Sequence, residues 1–349
     1  MESYTSDSSD SESSSKTLDL SYLMLDGQIL QEHLVCASSP EQVETLLLYQ
    51  NRLNYLPESV IRFANLATLD VSNCGLRGLP DFLLQLDQLI CISAKNNNIT
   101  NDSLPKSFEG WPSLRELNLS GNGLTEFPEQ VLDLPGLRYL YLGGNRISEI
   151  TEDVWKIQRL QVLSMGGNRL AEVPSTLGKL TALQALVLCD NRLESLPSTI
   201  ANLKNLKSLL LHKNRLRTLP TEIISLKCLT ELSLRDNPLV VRFVSDMTHN
   251  PPSLLELAAR VVKTIEIPYR EEDLPRNLID YLNSGHRCIN SRCKGVFFDN
   301  RVEHVKFVDF CGKYRLPLLQ YLCSSKCIRP NDRDEELVSG AMIRKVLLG

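Results

Sequence analysis

The chain has 349 residues, 42% hydrophobic and 23% charged, ordinary proportions for a soluble globular protein with a sizeable core. A formal net charge of -4 gives no global basic field to draw the chain onto phosphate backbones or anionic lipid, which argues against nucleic acid and membranes as partners. No apolar run approaches the roughly 20 residues needed to span a bilayer, and no basic and apolar export signal opens the chain, so its ten cysteines are expected as thiols or metal ligands in a reducing compartment, cytoplasmic or also nuclear.

Residues 1–17 form an acidic, Ser-rich stretch expected to be disordered, and residues 18–42 are expected to form an N-terminal cap. From Val43 onward the template L-x-x-L-x-L-x-x-N fits nine times. Its last position falls at Asn51, Cys74, Asn97, Asn122, Asn145, Asn168, Asn191, Asn214 and Asn237, at a spacing of 23 residues except for one of 25 between Asn97 and Asn122. In such a unit the L-x-L core is a short strand with alternating side chains, and the Asn satisfies backbone groups that would otherwise be buried without partners. Cys74 breaks the Asn series, yet a thiol can still donate weakly from that position. A proline then starts the outer segment of most units, as at Pro57, Pro80, Pro128, Pro174, Pro197 and Pro220. No single unit can bury its own apolar face, so the units must stack. The pattern resembles the 23-residue intracellular type of leucine-rich repeat, which implies an α/β fold: a horseshoe solenoid over 43–250, with nine repeats and a parallel concave sheet.

The third, fifth and seventh template positions line up as three columns on that sheet's open face. Tyr139, Tyr141, Val162, Val187, Cys189 and Leu210 make one mostly apolar region there, with Gly143 and Gly166 leaving room beside it and Glu116, His212 and Arg235 as a polar rim. Apolar clusters with aromatic anchors and a polar rim mark protein interfaces, so a protein substrate is expected on this face. Strand positions also favour aromatic and β-branched residues for their own sake, which would produce a similar column without a ligand. No nucleophile, base and orienter set, glycine-rich phosphate loop or paired carboxylates accompany it, so the chain reads as a binding protein and not an enzyme.

After Asn237-Pro238 the period becomes helical. Pro251-Pro252-Ser253 precedes a helix in which Ser253 and Glu256 have capping-box spacing, Glu256 and Arg260 form a modest i, i+4 pair, and Leu254, Ala258 and Val262 share one face. As a bland alternative, this helix simply caps the end of the stack. Ser-Leu-x-x-x-Ala-x-x-x-Val resembles the elongin-binding BC box, with Ala258 where that motif usually has Cys, a smaller anchor. Leu274, Pro275, Leu278 and Leu282 come next in a pattern that resembles a cullin box, closer to the cullin-2 form than to the longer cullin-5 form. The order of the two, over 251–284, is that of substrate receptors of cullin-RING ubiquitin ligases. The resemblance implies elongin B/C and a cullin with its RING subunit as partners.

Five of the ten cysteines fall between Cys288 and Cys327. Cys288-x4-Cys293 and Cys323-x3-Cys327 are spaced like two knuckles of a tetrahedral structural zinc site within a small module over 285–330, with residues 331–349 as a tail. Cys311, His286 and His304 are possible substitute ligands, and an unmetallated thiol cluster is the alternative. Val305, Phe307, Val308 and Phe310 read as a strand, too little for an independent core, so metal would supply the missing stability. An enzyme reading would require a reactive cysteine here, where closed structural spacing argues against one. Repeats, the Asn237–Val244 junction, the Leu254 helix, the Val308–Pro317 stretch and the Lys345–Gly349 end together resemble an intracellular leucine-rich-repeat family with a BC-box and cullin-box-like C-terminal segment. That resemblance implies an adaptor; the rival is a scaffold or signalling regulator with no ligase link.

Overall fold

The computed structural model describes residues 16–239, 252–270, 272–290, 293–310 and 314–328. The acidic start up to Ser15, the Val240–Val244 part of the junction, Cys311 and the tail from 331 lie outside the described residues. The chain divides into two compact units. One comprises Met1–Arg192, Asn202–Leu211 and Cys228–Leu232; the other comprises Leu193–Ala201, His212–Lys227 and Ser233–Gly349.

Each L-x-L core forms a three-residue strand with its middle side chain buried. The strands are β1 (Thr17–Asp19), β2 (Thr45–Leu47), β3 (Thr68–Asp70), β4 (Cys91–Ser93), β5 (Glu116–Asn118), β6 (Tyr139–Tyr141), β7 (Val162–Ser164), β8 (Ala185–Val187) and β9 (Ser208–Leu210); β10 (Leu219–Pro220) stands apart, and β11 (Glu231–Ser233) comes last in the repeats. Ten of them, all but β10, make one sheet in chain order. The pairings from β1 to β9 are parallel and put equivalent template positions side by side, for example Tyr139 with Val162 and Val162 with Ala185. The nine repeat strands are thus joined by a tenth, β1, from the segment read as a cap, which also carries helix α1 (Gly27–Cys36), N-capped by Asp26.

The repeat prolines do what their fixed φ and missing N–H allow. Pro57, Pro80, Pro128, Pro174 and Pro220 each sit at the N-cap of a short 3-10 helix on the return side of the repeat. Leucines from strand and return segment fill the interior, with Leu69, Leu117, Leu140, Leu163, Leu186 and Leu209 all fully buried. The 25-residue repeat places Phe108 and Trp111 at positions that aliphatic residues hold in the neighbouring repeats; both are fully buried, and the Trp111 indole N–H donates to the Leu83 carbonyl at 2.8 Å.

In the second unit, α2 (Leu254–Ile265) and α3 (Arg276–Asn283) are followed by a short ladder of β12 (His286–Arg287) on β13 (Val296–Phe297), and then by a long hairpin of β14 (Val302–Phe310) with β15 (Tyr314–Leu322). The strand read over Val305–Phe310 is therefore the second half of β14. β15 also pairs in parallel with β10, Leu219 against Leu318, so the hairpin is hydrogen-bonded to the last turns of the repeats.

Candidate functional site

Two regions qualify as sites: the open sheet face and the C-terminal segment. On the sheet, register brings Glu116, Tyr139 and Val162 into one column and Tyr141, Ser164, Val187 and Leu210 into the next. These side chains are half-buried, because each lies against its equivalents on neighbouring strands. Tyr139 donates to Gln161 Oε1 at 3.3 Å. Burial, followed by the nearby Glu116 carboxylate, pushes the Tyr141 phenol up from its ordinary value. The space beside Gly166 is not open: a Cβ there would lie 2.8 Å from the Cys189 sulfur. His212 and Arg235 belong to the second unit, whereas the other seven expected contacts belong to the first.

In the C-terminal segment, Ser253 Oγ accepts from Glu256 N–H at 3.1 Å, which is half of the capping box. The reciprocal half is absent because the Glu256 carboxylate turns inward. There it is 1% exposed and accepts from Arg260 Nη2 at 2.6 Å, from Phe298 N–H at 3.2 Å and from Asn300 N–H at 3.0 Å. Arg260 in turn donates to the Cys323 carbonyl at 2.9 Å and to the Asn300 carbonyl. The pair read as a modest i, i+4 contact is thus a clamp, buried at its Glu256 end, that fixes α2 to the cysteine module. Ala259, Leu282, Val296 and Phe298 form a small core around it, with Val262, Tyr269, Leu274 and Tyr281 packed on its edge.

The single helix α2 therefore carries two apolar stripes. The inner one holds Ala259 and Val262; the outer one holds Leu254 (87% exposed), Leu257, Ala258, Val261 and Ile265, all exposed. Of the three residues expected to share a face, Leu254 and Ala258 point outward, and Val262 packs on the core instead, because a 3.6-residue period carries i+8 about 80° around the helix. In the second motif, Leu282 is 5% exposed and Leu274 packs beside it, Pro275 is the exposed N-cap of α3, and Leu278 is half-buried.

The sulfurs of Cys288, Cys293, Cys323 and Cys327 all lie within 4.8 Å of one another, with Cys293 to Cys323 at 3.5 Å and Cys323 to Cys327 at 3.6 Å. Four convergent thiols at this separation can hold a metal ion, since thiolates around a tetrahedral ion with bonds of about 2.3 Å sit roughly 3.8 Å apart. Gly295 N–H donates to Cys293 Sγ at 3.2 Å, and a Cβ on Gly295 would meet the Cys323 sulfur at 2.5 Å. The Gly295 hydrogen bond holds the Cys293 thiol below the usual range, whereas burial raises Cys323 and pushes Cys327 up to about 11. A bound cation would reverse that order by favouring all four thiolates. Neither His286, whose ring lies tilted beside Phe297 at 5.8 Å, nor the buried His304 joins the four sulfurs.

Comparison with known proteins agrees with the repeat geometry. The leucine rich repeat family model matches residues 64–124 and 181–239, and a two-copy repeat model matches 112–153. A leucine-rich-repeat protein of Leptospira interrogans is similar in structure, with a TM-score of 0.59 and 33% identity, over 64% of this chain and 55% of that one. Leucine-rich repeat-containing protein 58 of Xenopus laevis is 59% identical over 95% of this chain and 97% of its own length, and that of Homo sapiens is 68% identical over 81% and 78%. The chain belongs to the leucine-rich repeat-containing protein 58 family. Repeats of this kind present an extended sheet face suited to binding proteins. Among the described residues no helix is long and apolar enough to cross a membrane.

The sequence pattern singles out the four cysteines and Leu254 but misses three parts of the same region: the inward turn of Glu256, the bridge from Arg260 to Cys323, and Gly295. The only available signal is the G-x-F-F run that begins at Gly295, two residues after Cys293, a place where backbone must pass close to sulfur.

Proposed function

We propose that this protein is the substrate-recognition subunit of an elongin B/C cullin-RING ubiquitin ligase. One observation carries the reading: the outer stripe of α2, led by Leu254 at 87% exposure, is an apolar helical surface that the described residues leave uncovered. A helix of this kind suits a hydrophobic groove read through anchors at i, i+4 and i+7. Leu254 and Ala258 would enter elongin C, with Val262 supporting them from behind. Pro275 and Leu278 would face the cullin, with Leu274 and Leu282 holding α3 in place. The protein substrate would lie on the sheet face over Glu116, Tyr139, Tyr141, Val162, Val187, Cys189 and Leu210. Zinc is the ion that best suits Cys288, Cys293, Cys323 and Cys327, because four thiolates in a closed tetrahedron leave no position for chemistry and favour a borderline-soft, redox-inert cation.

Affinity capture from cells tests the ligase reading. The parent chain should recover elongin C together with cullin-2 or cullin-5, and Leu254→Asp should lose both while its thermal denaturation is unchanged, since Leu254 makes little contact with its own fold. A parent chain that recovers no elongin C overturns the reading and leaves α2 as a cap on a binding scaffold.

A further inference from the structure

We infer that metal bound by the four cysteines controls the presentation of helix α2, so that this protein engages its helix-binding partner only when metallated. The inference rests on the reading of α2 as a partner-docking helix, but its structural half stands without it. Two facts join the sites. The sulfur cluster is itself much of the local core: Cys288, Val302 and Leu322 are its buried members, and Cys293, Cys323 and Cys327 pack against them. So small an apolar nucleus lacks the burial needed to hold its own shape, and an ion replaces it. The second fact is direct connection. Arg260 on α2 donates to the main-chain carbonyl of Cys323, one of the four sulfur residues, and Glu256 one turn earlier accepts from Phe298 and Asn300 in the segment that Gly295 leads out of the cluster.

Binding of a divalent ion by four thiols releases four protons and leaves a local charge of 2−, which the Gly295 N–H and the Arg260 guanidinium are placed to offset. Removing the ion leaves the four sulfurs with weak thiol contacts in place of metal bonds, Cys293 to Cys323 at 3.5 Å and Cys323 to Cys327 at 3.6 Å, so the Cys323 backbone is free to shift. Arg260 then loses its carbonyl partner, and the buried Glu256 is left with a weakened clamp. The inner stripe of α2, Ala259 and Val262, meets only the small core of Leu282, Val296 and Phe298 with Tyr269, Leu274 and Tyr281 on its edge, and does not hold the helix by itself.

Hydrogen exchange on the full-length chain, with zinc measured on the same sample, tests the coupling. About one zinc per chain is expected. Stripping it with a chelator should speed amide exchange across Leu254–Ile265 roughly tenfold or more, with the strands β2 to β9 unchanged and protection restored by added Zn2+. Because cysteine variants can fail to fold, Arg260→Met provides the independent arm: it should keep its zinc yet exchange like the stripped chain over α2. A chain purified without zinc that also takes up none, an α2 that stays protected when stripped, or an Arg260→Met chain as protected as the parent would each overturn the inference. Binding to purified elongin B/C is the separate functional arm. If stripping weakens it tenfold or more, metal control of the partner is supported; if the stripped chain binds as tightly as the parent, that control is overturned. A metallated parent that binds no elongin B/C overturns the ligase reading and leaves the metal-to-helix coupling to be decided by exchange alone.

Discussion

Asn168 accepts from Ile147 N–H at 3.0 Å and donates to the carbonyls of Leu142 and Met165, both at 3.0 Å, so one side chain satisfies three backbone groups from two neighbouring repeats. Asn97, Asn145 and Asn191 repeat the arrangement. Asn168→Ala should therefore cost about 3 kcal/mol in urea denaturation, the scale of leaving several buried groups without partners. At the irregular position Cys74, the thiol donates to the Leu48 carbonyl at 3.0 Å but cannot match an amide's full set of bonds. Cys74→Asn should stabilise the stack by about 1 kcal/mol in the same assay. Burial pushes Cys74 and Cys91 up to about 11, and thiol reagents act through the thiolate. At pH 8 only about one in a thousand of those thiols is ionised. Iodoacetamide should therefore label the exposed Cys36 and Cys228 well before Cys74 and Cys91, as read by peptide mass spectrometry.

At the scale of elements, period and spacing make the strands and both C-terminal helices legible in the sequence. Leucine recurs on a fixed frame, and Ser253 and Pro275 mark the helix starts. What each helix does with its faces is not legible there. Glu256 reads as a surface acid on any helical wheel, and only the return of Phe298 and Asn300 from 42 and 44 residues downstream makes it a buried acceptor. Glu256→Ala should thus cost the C-terminal unit roughly 3 kcal/mol, the low end for breaking a buried ion pair because the stranded Arg260 is only half-buried, measurable as faster exchange over α2 and α3. Gly295 is legible only once the Cys323 sulfur is in place beside it. Gly295→Ala should lower zinc affinity by about tenfold in a chelator competition, because the added methyl displaces a ligand sulfur.

For the whole molecule, contacts between neighbouring repeats dominate a stacked fold, so damage spreads along the stack instead of staying local. Leu163 is fully buried in a central repeat, and Leu163→Ala should cost about 3 kcal/mol and broaden the denaturation transition as the repeats on either side uncouple. The sequence by itself determined the repeat and its parallel sheet and pointed to two cysteine pairs, because these depend on local periodicity and short spacings that leave a regular trace along the chain. Tertiary structure alone decided that Leu254 faces outward while Val262 faces in, that Cys189 fills the space beside Gly166, that β15 pairs with Leu219–Pro220, and that Arg260 joins a helix to the four-cysteine cluster. Those are meetings of segments distant along the chain, and they depend on which apolar and polar groups each segment must cover, a quantity no single window of sequence contains.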